Sequence, residues 1–198
     1  MAFISTVPEE KADGPVREMY ESEKSLRGYL PNFAKLFCHR PKVMESWRIL
    51  SKSINSQMDP RRFELVTLAA ARALRSSYCM LAHGAILRQR FYDAEQVVEI
   101  AKYPEASALK PEEIAMMQYA ERVVIDAASI QQRDIDGLRS HGFSDEEIFE
   151  ITTTATARCF FSKTLDALGA EPDQQYLDMD EGLRIALQAG RPLNRVGS

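Results

Sequence analysis

A cysteine and a histidine lie four residues apart in the segment RSSYCMLAHGAI, and the chain contains only three residues of each type. On a helix, positions i and i+4 share one face, with their Cβ atoms about 5 to 6 Å apart. His83 could therefore accept the thiol proton of Cys79 and generate a nucleophilic thiolate. Ser76 or Ser77 would cap the N-terminus of such a helix. Both the helix N-terminus and the histidine predict a pKa for Cys79 below the ordinary value of about 8.5.

Glu64, in the apolar segment FELVTLAAARAL, is the third candidate for this chemistry. A buried carboxylate needs a partner, and a group that orients the histidine is the usual completion of a cysteine–histidine arrangement. Simpler interpretations remain open. Glu64 could be a solvent-exposed carboxylate in the first turn of its helix, and Cys79 and His83 could be two buried residues that happen to share a face.

The remaining cysteines and histidines predict no second reactive group. Cys38 and Cys159 each lie beside large apolar residues, which predicts core positions for both. His39 and His141 stand where helices are expected to end. Three scattered histidines offer no metal-ligand spacing, so we expect no metal and no other cofactor.

Helical periodicity dominates the chain and predicts an all-α fold, a compact multi-helix bundle. The length suits a single domain over residues 1–198. Helix starts are indicated at Asp59–Pro60, at Pro111 and at the capping box of Ser144 and Glu147. A polar C-terminal arm from about residue 173 should contain a short helix and a loose end that could wrap a neighbouring subunit.

The composition limits the partners. A formal net charge of −4 and a pI of about 5.5, without a lysine or arginine cluster, argue against nucleic acid and membrane surfaces as partners. The N-terminal segment lacks the pattern of a signal peptide, and no stretch approaches the roughly 20 apolar residues of a membrane span. Three widely spaced cysteines favour reduced thiols, and we expect a cytoplasmic protein.

Glu64 and the segment SSYCMLAH together resemble the active-site motif of the alkylhydroperoxidase D-like proteins in the carboxymuconolactone decarboxylase superfamily. The family motif is a glutamate, eleven residues, and then C-x-x-C-x-x-x-H, which this chain matches at Glu64, Cys79 and His83. The segments GPVREMYE, LPNFAKLFCHRP, LKPEEIAMMQYAERV and FFSKTLDALGAEPD resemble the longer, peroxidase-related branch. The resemblance covers most of residues 8–173.

The resemblance implies an alkylhydroperoxidase D-type helical fold and a thiol-dependent antioxidant enzyme that reduces hydroperoxides. Cys79 would attack the peroxide while His83 and Glu64 relay the proton. This chain departs from the family at Ser76, which replaces the first motif cysteine, so an external thiol reductant would have to regenerate Cys79. Ser76 could serve as the helix cap. Tyr78 could donate a hydrogen bond to an oxygen on the sulfur, or could merely pack.

Two other functions fit the same residues. Decarboxylase members of the superfamily use acid–base groups without a redox cysteine pair, so Glu64 and His83 could act on a small lactone acid. The chain could also form a non-catalytic oligomer that senses oxidants or binds a small apolar ligand.

We further expect a homo-oligomer, which the resemblance implies is a trimer or a hexamer. Apolar residues around the segment CFFSKTLDAL and in the C-terminal arm exceed what one compact bundle of this length should cover. Sedimentation at micromolar concentration should therefore give a mass several times the 22.4 kDa of one chain. A stable monomer would contradict this expectation.

Overall fold

The computed structural model describes residues 2–193 and confirms the all-α prediction. Within that range the chain forms ten α-helices joined by short loops and five 3-10 turns, with no strand. The helices are α1 (Gly14–Arg27), α2 (Asn32–Leu36), α3 (Pro41–Asn55), α4 (Pro60–Ala73), α5 (Ser77–Arg90), α6 (Ala94–Lys102), α7 (Pro111–Asp126), α8 (Gln132–Ser140), α9 (Asp145–Ala167) and α10 (Glu181–Ala186).

Helix α4 lies at the centre of the bundle and packs against α5, α7 and α9. It begins where the sequence predicts: Asp59 accepts a hydrogen bond from the backbone N–H of Arg62, and Pro60 occupies the first turn. Three consecutive alanines, Ala69 to Ala71, are fully buried and allow the neighbouring helices to approach closely. Glu64 is therefore carried by the most enclosed helix of the fold.

Helix α9 begins with the predicted capping box, in which Ser144 and Glu147 exchange hydrogen bonds with each other's backbone N–H. Its TTTATA stretch has low helix propensity, and packing against α4 and α7 holds it helical. The chain leaves the helix through Gly169, which adopts a left-handed conformation (φ 75°). The helix thus runs past the N-terminus of α5 and supplies one wall of the site described below.

The described part of the C-terminal arm packs on its own chain. Leu183, Leu187 and Leu193 are buried. A Cβ atom at Gly84 of α5 would lie 2.5 Å from Leu187 Cδ1, so a larger residue there would displace the Leu187 side chain. The short helix of the arm is as predicted; it packs against α6 of its own chain, and Leu187 contacts α5 at Gly84. The loose end falls on residues 194–198, which lie outside the described range.

The three cysteines are free thiols, and their burial differs in part from the prediction. Cys38 is buried as predicted, with its sulfur accepting a hydrogen bond from the backbone N–H of Val7. Cys159 is only half-buried, so its predicted core position is wrong. It lies on the side of α9 that turns towards solvent, next to the exposed Phe160.

Exposed apolar side chains gather where α3 and α9 face solvent. Leu50, Phe149 and Phe160 are 51%, 68% and 47% exposed, and they line an open groove of about 600 Å³. Phe160 belongs to the segment in which the sequence indicated an apolar excess. Over residues 2–193, no helix combines the length and the apolar character needed to cross a membrane.

Candidate active site

A cavity of about 330 Å³ contains four of the residues that the sequence singles out: Glu64, Tyr78, Cys79 and His83. Aromatic side chains form much of its wall, including Phe33, Trp47, Phe63 and Phe161. Helices α1, α2, α3, α4, α5 and α9 contribute to it, together with the first residues of the C-terminal arm.

Glu64 and His83 form a hydrogen-bonded pair in this cavity. His83 Nδ1 lies 2.6 Å from Glu64 Oε2, and His83 Nε2 lies 3.3 Å from Arg158 Nη1. Because a guanidinium can only donate hydrogen bonds, Nε2 is the acceptor and the proton sits on Nδ1, facing the carboxylate. Glu64 thus fixes the ring and leaves the basic nitrogen directed at the cavity.

Cys79 lies three residues into α5, but its sulfur bonds to α9 rather than to the imidazole. Ser162 Oγ donates a hydrogen bond to the sulfur at 3.0 Å, and the described contacts include no Cys79–His83 hydrogen bond. Burial raises the pKa of the Cys79 thiol. The Arg158 charge opposes this rise most strongly, followed by the Ser162 and Ser76 hydroxyls. The predicted lowering of the pKa is therefore wrong, since desolvation of a side chain only 2% exposed outweighs these favourable neighbours.

Arg158 is a site residue that the sequence analysis missed. Its side chain is buried, with the guanidinium carbon 4.9 Å from the ring centroid of Trp47. Among the described residues it forms no ion pair, and its Nε has no hydrogen-bond partner. Burial lowers the pKa of Arg158, whereas the Cys79 and Glu64 groups raise it. The site thus holds a buried cation between its thiol and its histidine, with unused donors.

Tyr78 anchors the C-terminal arm. Its hydroxyl donates to Asp173 Oδ2 at 2.6 Å and accepts from the backbone N–H of Phe33 at 3.2 Å. Asp173 also accepts from the backbone N–H of Asn32 and from the Tyr29 hydroxyl. Burial raises the pKa of Tyr78. Because its one proton is already donated to Asp173, we assign Tyr78 a positioning role instead of a hydrogen bond to an oxygen on the sulfur.

Ser76 occupies the N-cap position of α5, as predicted, but its side chain makes no capping hydrogen bond. The residue is fully buried and its hydroxyl oxygen has no hydrogen-bond partner at normal geometry. The hydroxyl is close enough to lower the pKa of both Cys79 and Asp166. Ser76 therefore lies close to the Cys79 sulfur at the N-cap position of α5. Across residues 2–193, no group of three or more histidine, cysteine, aspartate or glutamate side chains is placed to hold a metal ion.

The structure brings a cysteine, a histidine and a glutamate into one cavity of an all-α bundle. The model of the carboxymuconolactone decarboxylase family matches residues 41–122, which include Glu64, Cys79 and His83. This match agrees with the resemblance to the family that the sequence motif indicated. A search of curated proteins found no match.

Solved structures share the fold over nearly the whole chain. An uncharacterized peroxidase-related protein from Ralstonia eutropha JMP134, described as an alkylhydroperoxidase AhpD core, has a TM-score of 0.79 at 20% identity, covering 90% of this chain and 95% of that one. An uncharacterized peroxidase-related protein from Silicibacter sp. TM1040 has a TM-score of 0.75 at 20% identity, covering 89% of this chain and 92% of that one. The debrominase Bmp8, in complex with 2,3,4-tribromopyrrole, has a TM-score of 0.70 at 14% identity, covering 92% and 94%. At these identities the likeness establishes the fold.

Proposed function

We propose that the protein is a thiol-dependent peroxidase that reduces hydroperoxides at Cys79. The observation that carries this proposal is the placement of the thiol in a cavity, in contact with Ser162 and close to the Glu64–His83 pair and the Arg158 guanidinium. A nucleophile, an oriented base and a fixed positive charge are the groups that cleavage of an O–O bond requires.

The base is essential because the thiol is not ionised in advance. Burial raises the pKa of Cys79, so the thiol is largely protonated at neutral pH. His83 Nε2 has to take this proton as the sulfur attacks, and Glu64 stabilises the imidazolium that forms. The contact between Arg158 and Nε2 is long for a hydrogen bond, at 3.3 Å, and is readily given up in this step.

The reaction converts one thiol and one hydroperoxide into a sulfenic acid and an alcohol. A bond forms between sulfur and the distal peroxide oxygen as the O–O bond breaks, and the leaving alkoxide takes the proton from His83. The Arg158 guanidinium, which the described residues leave without an ion pair, stabilises the developing negative charge on oxygen. Two molecules of an external thiol then reduce the sulfenic acid, releasing water and their own disulfide.

The mass of the protein after one equivalent of hydroperoxide tests this proposal. The peptide containing Cys79 should gain one oxygen atom, and added small thiol should convert it to a mixed disulfide and then to the free thiol. The peptides containing Cys38 and Cys159 serve as internal controls and should stay unmodified. An unmodified Cys79 peptide would refute the proposal. Oxidation of Cys79 that added thiol cannot reverse would favour an oxidant sensor.

A second candidate is acid–base catalysis by Glu64 and His83 on a small lactone acid. One observation favours it: the Glu64–His83 pair is hydrogen-bonded at 2.6 Å, whereas Cys79 bonds to Ser162 and its pKa is raised. In this alternative the thiol would be a packing residue. The effect of removing the sulfur separates the two candidates.

A further inference from the structure

The mouth of the cavity contains two arginines that the chemistry at Cys79 does not use. Glu23 of α1 is fully buried, and it accepts hydrogen bonds from Arg48 Nε at 2.7 Å and from Arg27 Nε at 3.1 Å. Both arginines line the cavity, and their side chains are 30% and 47% exposed. By contrast, Arg158 at the inner end is 5% exposed, so positive charge stands at both ends of the cavity.

The two arginines at the mouth differ in their remaining donors. Arg48 directs Nε and Nη2 to Glu23 and Nη1 to the Ser22 hydroxyl, so each of its nitrogens has a protein partner. Arg27 donates to Glu23 through Nε alone. Within residues 2–193, its Nη1 and Nη2 have no hydrogen-bond partner. Its guanidinium carbon lies 5.3 Å from the ring centroid of Phe33, in the wall of the cavity. A guanidinium held in this way offers two parallel donors, the geometry that binds a carboxylate.

The acidic side chains around the cavity do not compete for these donors. Asp173 is occupied by hydrogen bonds from Tyr78, Tyr29 and the Asn32 backbone. Glu64 is held by His83. The terminal nitrogens of Arg27, which lines the cavity, therefore have no protein acceptor there.

We propose that the cavity binds small organic acids, with the carboxylate on Arg27 and an apolar or aromatic body among the rings of Phe33, Trp47 and Phe161. A volume of about 330 Å³ lies at the small end of ligand cavities, which favours a compact molecule over a long lipid chain. If the proposed function holds, the substrate is a hydroperoxide that also carries a carboxylate. The carboxylate site itself does not depend on reaction at Cys79.

Binding can be measured without turnover because Trp47 is the only tryptophan in the chain and lines the cavity. The probes are 4-phenylbutanoate and its neutral amide, which differ in charge but hardly in shape. Titration of tryptophan fluorescence should give a dissociation constant at least about tenfold lower for the acid, the effect of one charge-assisted bidentate contact. Increasing salt should weaken the binding of the acid and leave the binding of the amide unchanged.

Three variants decide whether Arg27 is responsible. Arg27→Gln should abolish the preference for the acid, and Arg27→Lys should restore part of it. Arg90→Gln is the matched control, because Arg90 is also an exposed arginine over a phenylalanine ring, 5.1 Å from that of Phe91, but lies outside the cavity. Equal affinities for acid and amide, a preference that survives in Arg27→Gln, or no binding of either probe at millimolar concentration would overturn the proposal. The same titration in Cys79→Ser separates this outcome from any failure of the peroxidase chemistry.

Discussion

Replacement of Cys79 by serine should reduce thiol-dependent consumption of hydroperoxide by roughly three orders of magnitude or more, the loss expected when a covalent nucleophile is removed. The variant should fold normally, because serine is close in size to cysteine and Ser162 can donate its hydrogen bond to the new hydroxyl. The measurement is the rate of peroxide loss with a small thiol present. Circular dichroism and thermal unfolding would verify the fold.

The natural protein should also react faster as the pH rises. Burial holds the pKa of the Cys79 thiol above its ordinary value, so the ionised fraction keeps growing at pH values where an ordinary thiol is already mostly ionised. Activity on a lactone acid that persists in Cys79→Ser would instead support acid–base catalysis by Glu64 and His83.

The parts of the fold that the sequence predicted are those set by local interactions. Asp59 and Pro60 begin α4, and Ser144 with Glu147 begins α9, because a cap and its acceptor lie within four residues of each other. The pairing of Glu64 with His83 is different. It joins two helices, and local periodicity left a solvent-exposed glutamate equally open, so the family motif was the stronger signal.

Arg158 shows which part of the site local patterns did not reveal. The buried residues of α9 recur at intervals of three and four, and Arg158 belongs to that series, as do Ile151, Thr154, Phe161 and Leu165. A cation inside an apolar stripe is a signal that the sequence contained. The role of Arg158 depends on tertiary contacts, because Cys79 and His83 lie on a different helix.

The pKa of Cys79 was mispredicted for a related reason. A helix N-terminus and a nearby histidine are visible in the sequence, and each favours the thiolate. Desolvation depends on how completely the other helices enclose the sulfur, and no local pattern reports this. The structure buries Cys79 almost fully and gives its hydrogen bond to Ser162 of α9, so desolvation outweighs the local effects.

Replacement of Ser76 by cysteine should convert the site to one that forms an internal disulfide with peroxide. The natural hydroxyl is buried without a hydrogen-bond partner at normal geometry, at the N-cap position of α5 and close to Cys79. A thiol there would stand three residues before Cys79, a spacing that permits a disulfide at a helix start. Attack by this thiol on the sulfenic acid forms the S–S bond and releases water. The variant should lose two hydrogens in mass, with little loss of stability because no capping hydrogen bond is removed.

Ser77→Cys is the matched control for this experiment. Ser77 is equally buried and adjacent in sequence, but its hydroxyl accepts a hydrogen bond from the backbone N–H of Gly190 in the C-terminal arm. A thiol at this position should point away from Cys79 and leave the peroxide product unchanged from that of the natural protein. A disulfide in the Ser76 variant alone would locate the sulfenic acid at Cys79. If the Ser76 variant folds and both of its thiols remain free through a peroxide titration, Cys79 is not a redox residue, and acid–base catalysis by Glu64 and His83 becomes the better account of the site.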